Sequence, residues 1–287
     1  MRSLRGDAAM SIDVEDWFQV ENLKGAIARD TWDQRELRVE RNVDRMLERM
    51  GERGVRGTWF VLGWVAERAP ALVRRIAGEG HEIASHGFGH ELVGTLSPER
   101  FRADVERCKK SLEELAGSEV IGYRAPSFSI TDWSIDVLRE LGFRYDSSAF
   151  PTVAHDRYGR LPGVRADEPI VELRPGFHEV CVSCLPLGGR GLPWGGGGYF
   201  RLLPYAIFRA GVRRILGAGR PYVFYMHPWE IDPGQPRVGG IKRSHALRHY
   251  LNLARGEARF GALLRDFEWM PIRELLERWK AARNPGG

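Results

Sequence analysis

Two histidines four residues apart are the first feature of this chain that could do chemistry. His86 and His90 follow a short apolar strand that leads to Ser85, in the sequence His-Glu-Ile-Ala-Ser-His-Gly-Phe-Gly-His. Neutral imidazole is a good ligand for zinc and similar ions, and two histidines at this spacing reach one ion if the chain turns between them. Gly87 and Gly89 disfavour a long helix and favour a tight turn. The pattern therefore predicts a metal site at a strand end.

A second histidine pair with the same spacing, His245 and His249, provides a comparison within the chain. It lies in a segment with a helical pattern that begins at Ser244 and has no acidic residue within several positions. With 8 histidines in the chain, a pair at this spacing can arise by chance. We therefore interpret the second pair as an ordinary helix face and expect metal only at the first.

Length and composition favour one large α/β domain. The 287 residues, 43% of them hydrophobic, can bury a core of the size found in α/β barrels. The net charge of +5 comes mostly from scattered arginines, which indicates a solvated surface and not a nucleic-acid site. No apolar run is long enough to cross a membrane, and the first ten residues do not resemble a signal peptide. We expect no transmembrane segment and a cytoplasmic protein.

Predicted strands and helices alternate along the chain, which is typical of a parallel α/β fold. Strands are predicted at 11–14, 58–62, up to 85, 120–123, 143–146 and 222–226, with helices around 43–50, 72–80, 97–115, 132–141 and 203–216. The tail, 267–280, is predicted to be a strand followed by a helix that Pro271 starts. The seven glycines of 188–198 indicate a flexible loop.

Polar side chains recur where these strands end, and they are Asp13, His86, Arg124, Asp146 and His227. Parallel α/β folds place ligands and catalytic groups at the carboxyl ends of their strands. The first strand is unusual because Glu15 and Asp16 follow Asp13 directly after a single valine. We interpret the five positions together as one site.

Five motifs, in order over residues 11–230, resemble those of the polysaccharide deacetylase family, the NodB-homology carbohydrate esterases. They are Asp13-Val14-Glu15-Asp16, Ser85-His86-x-x-x-His90, Tyr123-Arg124-Ala125-Pro126, Tyr145-Asp146-Ser147-Ser148 and Met226-His227-Pro228-Trp229-Glu230. The segments 196–201 and 231–233 are most similar to the XrtA/PEP-CTERM exopolysaccharide-locus branch. The resemblance implies a distorted (β/α) barrel with seven units, as one domain over 1–287 with loop additions and a C-terminal extension at about 231–287.

The resemblance also implies a metal-assisted hydrolysis. A divalent ion, with Zn²⁺ favoured and Co²⁺, Ni²⁺ or Mn²⁺ as alternatives, would be held by His86, His90 and a carboxylate. The family commonly has two adjacent aspartates in its first motif, whereas a valine intervenes here. Glu15, two residues after the expected base, is then the expected ligand, and Asp16 is the rival.

The remaining roles follow from the same resemblance and from the chemistry. Asp13 would act as the base that takes a proton from water, and His227 would protonate the leaving amine. Asp146, itself oriented by Arg124, is the predicted carboxylate that raises the pKa of His227. A backbone N–H between Tyr123 and Ser127 would stabilise the oxyanion.

Aromatic and proline residues beside the motifs are expected to line a substrate groove, and they are Trp17, Tyr123, Pro126 and Trp229. Two motifs depart from the family pattern, because Ser127 replaces a common aromatic residue and Asp146 lacks the tryptophan that usually follows it. The groove is therefore expected to differ from that of other family members.

These residues predict a metal-dependent N-deacetylase that acts on N-acetylhexosamine units of an acetylated polysaccharide or a lipid-linked oligosaccharide precursor. A cyclic amide or imide hydrolase of the same superfamily is the alternative enzyme, and a closed pocket would favour it over an open trough. A catalytically silent carbohydrate-binding protein is the third hypothesis, which a missing base or acid would favour. A cytoplasmic enzyme would act at the inner face of the plasma membrane.

Overall fold

The computed structural model describes residues 6–152, 159, 161–187 and 190–283, and a largely parallel β-sheet organises them. In chain order the strands are β1 (Ala8–Val14), β2 (Thr58–Val61), β3 (Glu82–Ser85), β4 (Gly122–Tyr123), β5 (Tyr145–Asp146), β6 (Ile170–Arg174), β7 (Phe177–Val180), β8 (Cys184–Leu187), β9 (Arg190–Pro193), β10 (Tyr222–Met226) and β11 (Trp269–Met270). The order across the main sheet is β10-β1-β2-β3-β4-β5-β7-β6.

Within the described residues, seven consecutive strands of this order, from β10 to β7, pair in parallel. β6 pairs antiparallel with β7 at one edge, and β11 adds a short parallel pairing to β1. The predicted α/β class with a curled parallel sheet is confirmed.

Strand pairing does not close the described sheet into a full barrel, because β10 and β6 are its two edges. The segment between β7 and β10 crosses part of this opening. The amide of Ser183 donates to the carbonyl of Val223, and the amide of Tyr225 donates to the carbonyl of Gly195. β8 and β9 form a separate hairpin within this segment.

The helices are α1 (Val39–Gly51), α2 (Gly63–Arg68), α3 (Pro70–Gly78), α4 (Pro98–Ala116), α5 (Asp132–Glu140), α6 (Gly197–Leu202), α7 (Tyr205–Gly217), α8 (Arg243–Tyr250), α9 (Gly256–Asp266) and α10 (Ile272–Arg283). The best-defined sequence signals belong to α4. Ser97 accepts the amide of Arg100 at its start, and Gly117 ends it with φ of 64°. Its buried residues recur every three or four positions and pack on the core.

The C-terminal helix α10 packs against the inner face of the strands near their amino ends. Leu275 and Leu276 join a buried cluster with Ala9 and Phe60, and the amide of Ile272 donates to Oγ1 of Thr58. The opposite, carboxyl end of the sheet is left for the predicted site. Among the described residues, no helix is both long and apolar enough to span a bilayer.

The glycine-rich segment, predicted to be a flexible loop, has regular structure in its described part. It contains β9 and the start of α6, and Gly196 forms an isolated bridge to Tyr225. A Cβ atom on Gly195 would clash with the backbone oxygen of Val223. The glycine is needed because the two backbones approach closely. Gly188 and Gly189 lie outside the described residues.

Candidate active site

The carboxyl ends of β1, β3, β4 and β10 meet at one edge of the sheet and bring the motif residues together. Asp13 and Glu15 come from the end of β1, His86 follows β3, Arg124 follows β4, and His227 follows β10. The first four are buried and His227 is partly buried, and four of the five line one cavity of about 460 Å³. Arg124 lies behind that cavity, in contact with Asp13.

Glu15, His86 and His90 form a group that could hold a metal ion. One ligand atom from each lies within 4.8 Å of the others, and all three side chains are buried. Nε2 of His90 is 2.8 Å from Oε2 of Glu15, yet this oxygen has no partner in hydrogen-bond geometry. Two nitrogens and one carboxylate oxygen suit a divalent ion such as Zn²⁺. The predicted histidine pair and Glu15 are thus brought together.

The turn after β3 is built to hold these ligands. Gly87 and His90 both have positive φ, at 71° and 54°, which makes the tight turn that the sequence predicts. Asp104 on α4 accepts the amides of Phe88 and Gly89, at 2.7 and 3.0 Å. The carboxylate therefore fixes the turn from outside the site.

His86 has its ring orientation set by the backbone. Its Nδ1 lies 2.8 Å from the carbonyl oxygen of Arg124, so Nδ1 carries the proton and Nε2 is available as a ligand. Burial lowers the pKa of His86 to about 4 and keeps the ring neutral, as a metal ligand must be. Burial alone would raise the pKa of Glu15, but His90 and His227 hold it well below its usual range.

Asp16, the rival ligand, points away from this group. Its Oδ1 accepts the amide of Trp17, and its Oδ2 accepts the amides of Arg38 and Val39, at 2.6 and 2.9 Å. The carboxylate caps the short 3₁₀-helix Trp17–Gln19 and ties it to the start of α1. Asp16 is therefore a capping residue, and its prediction as a metal ligand is wrong.

Arg124 orients the expected base and not Asp146. Its Nη1 donates to Oδ1 of Asp13 at 2.6 Å and to Oγ of Ser11 at 2.9 Å. Its Nε and Nη2 donate to the carbonyl and hydroxyl oxygens of Ser147, and its fully buried guanidinium lies over the Phe60 ring. One oxygen of Asp13 is thereby fixed, and Oδ2 lies 4.0 Å from Nε2 of His227.

The predicted pairing of Asp146 with His227 is wrong. Asp146 accepts the amide and hydroxyl of Ser148, and its neighbour across the sheet is Glu179 on β7. Tyr145 belongs to the buried cluster on the inner face of the strands, so Asp146, the next residue along β5, points to the opposite face of the sheet.

Glu230, which sequence reasoning did not assign a role, takes that place. Its Oε1 lies 2.9 Å from Nδ1 of His227, and its Oε2 accepts Nε of Arg201 at 2.7 Å. Burial alone would lower the pKa of His227, but Glu15 and Glu230 raise it to about 10. The spacing of His227 and Glu230 in the sequence could have indicated this pair, because a cap residue and a glutamate three positions later form a capping box. In the structure His227 caps the 3₁₀-helix Pro228–Ile231 and Glu230 is its third residue.

Only one of the four predicted groove residues lines the cavity. Trp229 does, and its ring stacks on His227 at 5.1 Å between ring centroids. Trp17 instead packs against Phe18 and donates to the carbonyl of Glu36. The other two residues also lie off the cavity wall, Tyr123 packing against Phe101 and Pro126 starting a 3₁₀-helix. Trp17 and Tyr123 belong to the core behind the strand ends, and none of the three residues lines the cavity, so their contact with substrate stays a prediction.

His249 is more than the ordinary helix face that its spacing predicts. It is buried, lines the cavity, and stacks on Trp229 with 4.4 Å between ring centroids. Its Nε2 lies 2.6 Å from Oε1 of Gln235, and burial lowers its pKa to about 3. In the described part of the chain, the only potential metal group found is that of Glu15, His86 and His90, and the absence of metal at the second pair stays a prediction.

Ser127 is the candidate backbone donor near the site. The amides of Arg124 and Ala125 donate to Ser85 and Ser148, and proline has no N–H. Ser127 lines the cavity with φ of 51°, a strained conformation for serine. Within the predicted range of oxyanion donors, Ser127 is the residue that lines the cavity.

Comparison with known proteins gives two family matches that meet in this site. Residues 27–145 match the polysaccharide deacetylase family, and residues 147–277 match a domain of unknown function, DUF3473. The first match contains His86, His90 and Arg124, and the second contains His227 and Glu230.

The curated relatives include deacetylases. A peptidoglycan deacetylase-like protein, FGM2, from Gibberella zeae is 34% identical over 37% of this chain and 32% of its own. A chitooligosaccharide deacetylase from Sinorhizobium fredii is 29% identical over 47% of this chain and 65% of its own. Each match thus spans less than two thirds of the relative's length.

A solved structure matches along almost the whole chain. The crystal structure of a candidate polysaccharide deacetylase from Mycobacterium smegmatis covers 99% of this chain and 93% of its own, with a TM-score of 0.64 and 24% identity. At this identity the likeness shows the fold. The match over residues 27–145 and these relatives show that this part of the chain is similar to polysaccharide deacetylases.

Proposed function

We propose that this protein is a metal-dependent N-deacetylase that hydrolyses N-acetyl groups on N-acetylhexosamine units of a bacterial polysaccharide or its lipid-linked precursor. One observation carries the proposal. A potential metal group lies in the same cavity as an aspartate held by Arg124 and a histidine held by Glu230. A ligand group, a base and an acid are what amide hydrolysis at a metal site requires.

Glu15, His86 and His90 would hold the ion. When bound, a divalent ion such as Zn²⁺ supplies Lewis acidity, which acidifies a water and polarises the acetyl carbonyl. The buried Oε2 of Glu15, which has no hydrogen-bond partner, and the neutral His86 ring fit such an ion. Co²⁺, Ni²⁺ and Mn²⁺ remain alternatives to Zn²⁺.

The chain's own groups would then move two protons. Asp13, with one oxygen fixed by Arg124, accepts a proton as water oxygen bonds to the acetyl carbon. The N–H of Ser127 donates to the acetyl oxygen while that oxygen carries negative charge. His227, protonated and held by Glu230, gives its proton to the amine nitrogen as the C–N bond breaks. The products are acetate and a free amino sugar.

We also propose a cellular location and a biosynthetic role for the enzyme. A cytoplasmic enzyme would meet its substrate at the inner face of the plasma membrane, before the polymer is exported. The similarity of segments 196–201 and 231–233 to the exopolysaccharide-locus branch supports a role in exopolysaccharide synthesis. Cell fractionation, with protease protection of intact and lysed cells, tests the location.

Acetate release from a panel of acetylated oligosaccharides, with and without a chelator, tests the activity. The panel includes chitooligosaccharides, peptidoglycan fragments and a cyclic imide as the alternative substrate. We expect release from at least one N-acetylated sugar, lost on chelation and restored by Zn²⁺. If a metal-loaded protein releases no acetate but opens the cyclic imide, the alternative enzyme is correct; if it binds sugars and does neither, the protein is a silent binder.

A further inference from the structure

The outer part of the cavity differs in chemistry from the catalytic part. Leu202 at the end of α6 and Leu247 on α8 both line it, and they are 55% and 67% exposed. Ile207 on α7 is 53% exposed but does not line the cavity. Two of the most exposed large apolar side chains of the described residues therefore lie at the mouth of the candidate active site.

These leucines are held in place by a buried framework. Arg201, almost fully buried, donates to the carbonyl oxygens of Arg248, His249 and Leu251, at 3.1, 3.0 and 2.6 Å. These carbonyls are at the carboxyl end of α8, where the helix leaves acceptors without partners. Since Leu202 directly follows Arg201, one side chain fixes both leucines relative to the catalytic groups.

Charge at the same mouth is also distinctive. The exposed Arg248 lines the cavity, and within the described residues no carboxylate pairs with its guanidinium. Glu21 also lines the cavity, and its carboxylate has Nζ of Lys24 at 3.6 Å. The mouth therefore combines aliphatic side chains with an available positive charge.

This combination suits an amphiphile better than a second sugar. Sugar rings are bound by flat aromatic faces and by hydrogen-bonding side chains, which the inner cavity offers at Trp229 and Tyr225. Leucine side chains cannot hydrogen-bond hydroxyl groups, whereas they gain free energy by covering an aliphatic chain. A guanidinium next to them suits a phosphate that links sugar and lipid.

We propose that Leu202, Leu247 and Arg248 form a subsite for the phosphate-linked aliphatic chain of a lipid-linked saccharide. The inference rests on the proposed function and selects the lipid-linked precursor over the finished polymer. The segment of unknown function, 147–277, would then supply substrate selection as well as the catalytic acid.

Binding measurements separate this subsite from catalysis. Calorimetric titration of the zinc-loaded Asp13→Asn variant, which is expected not to turn over, uses three ligands: methyl N-acetylglucosaminide, octyl N-acetylglucosaminide, and N-acetylglucosamine with an octyl diphosphate. We expect affinity to rise about tenfold from methyl to octyl, and further with the diphosphate. Equal affinity for the methyl and octyl ligands would overturn the proposal.

Single substitutions show which side chains are responsible for the gains in affinity from the octyl chain and from the diphosphate. Leu247→Ser and Leu202→Ser should each remove part of the octyl gain and leave methyl affinity unchanged, and Arg248→Gln should remove only the diphosphate gain. Ile207→Ser is the control and should change neither. If Ile207→Ser reduces octyl affinity as much as Leu247→Ser does, the leucines are not a ligand subsite. Binding to phosphatidylglycerol vesicles is measured as well, and if Leu247→Ser weakens only this binding, the leucines are again not a ligand subsite.

The lipid subsite and the deacetylase activity can be refuted independently of each other. If the wild-type protein releases acetate from the methyl glycoside and the octyl chain brings no gain, only the subsite is refuted. If the octyl gain is found and depends on Leu247 while no N-acetyl sugar releases acetate, the subsite stands and the deacetylase is refuted.

Discussion

Three acidic residues at one strand end have different hydrogen-bond and ionic partners, and we propose a different role for each. Asp13 meets a guanidinium, Glu15 meets two imidazoles, and Asp16 meets three backbone N–H groups. Burial raises the pKa of Asp16 to about 6 even though those amides oppose the shift. At the residue scale, the partner of a carboxylate decides whether it acts as base, ligand or cap.

Substitution of the neighbouring carboxylates should therefore have opposite effects on metal and stability. We expect Glu15→Gln to lower metal content strongly, because an amide is a much weaker ligand for the ion. Asp16→Asn should keep the metal and lose about 1–2 kcal/mol of unfolding free energy, as expected for a weakened cap. Metal analysis and denaturant unfolding of both variants check this. If the Asp16→Asn variant lost its metal and the Glu15→Gln variant kept it, Asp16 and not Glu15 would be the metal ligand.

Substitutions in the two histidine pairs should also differ in their effect on metal content. His86→Ala removes a nitrogen from the potential metal group and should empty the site. His249→Ala should keep the metal and raise KM, because His249 stacks on Trp229 in the cavity wall. Metal content and steady-state kinetics decide between them. Loss of metal in His249→Ala alone would show that the wrong pair has been chosen.

The alkaline limit of activity should depend on Glu230. An acid works only while protonated, so kcat/KM should fall as pH rises through the pKa of His227, which Glu15 and Glu230 raise to about 10 against burial. Glu230→Gln removes one of these charges and should move the alkaline limb to lower pH. The pH profile of kcat/KM checks this.

Asp146→Asn serves as the comparison for Glu230→Gln, because sequence reasoning chose Asp146 as the partner of His227. It should leave the position of the alkaline limb unchanged. A limb that moves in Asp146→Asn and stays in Glu230→Gln would restore the original pairing.

At the scale of elements, backbone approach places the catalytic acid. A Cβ atom on Gly197, at the start of α6, would overlap both carboxylate oxygens of Glu230, whereas a Cβ on Gly198 would meet no atom within 4 Å. We expect Gly197→Ala to displace Glu230 from His227 and to lower kcat/KM at least tenfold. Gly198→Ala should retain nearly full activity. Kinetics and thermal unfolding of the two glycine variants test whether Gly197 positions Glu230. Similar losses of kcat/KM in both variants would refute this role.

Which strands end at the site could be predicted from sequence, but which side chains pair there could not. Apolar runs followed by polar residues identify β1, β3, β4 and β10, because parallel strands end at one edge. Pairing depends instead on neighbour order across the sheet and on local caps. Sequence alone therefore pairs Asp146 with His227 although Glu230 is the partner in the structure, and it offers Asp16 as a ligand although Asp16 caps a turn.

At the scale of the whole molecule, residues from both family matches complete one site, and Arg201 connects its parts. The guanidinium pairs with Glu230, the partner of the proposed acid His227, and also holds the carboxyl end of α8, so Glu230 and the outer cavity wall share one support. A buried ion pair that loses one partner leaves a charge without compensation and is costly.

Replacement of Arg201 should therefore affect rate, substrate binding and stability together. Arg201→Lys keeps the charge but cannot reach Glu230 and three carbonyl oxygens at once. We expect a lower kcat, a higher KM and a loss of about 3 kcal/mol or more of unfolding free energy. Arg259→Lys is the control, since Arg259 donates to the carbonyls of Phe200 and Arg201 without contacting Glu230. If both variants lose only stability, Arg201 supports the wall and has no part in positioning His227.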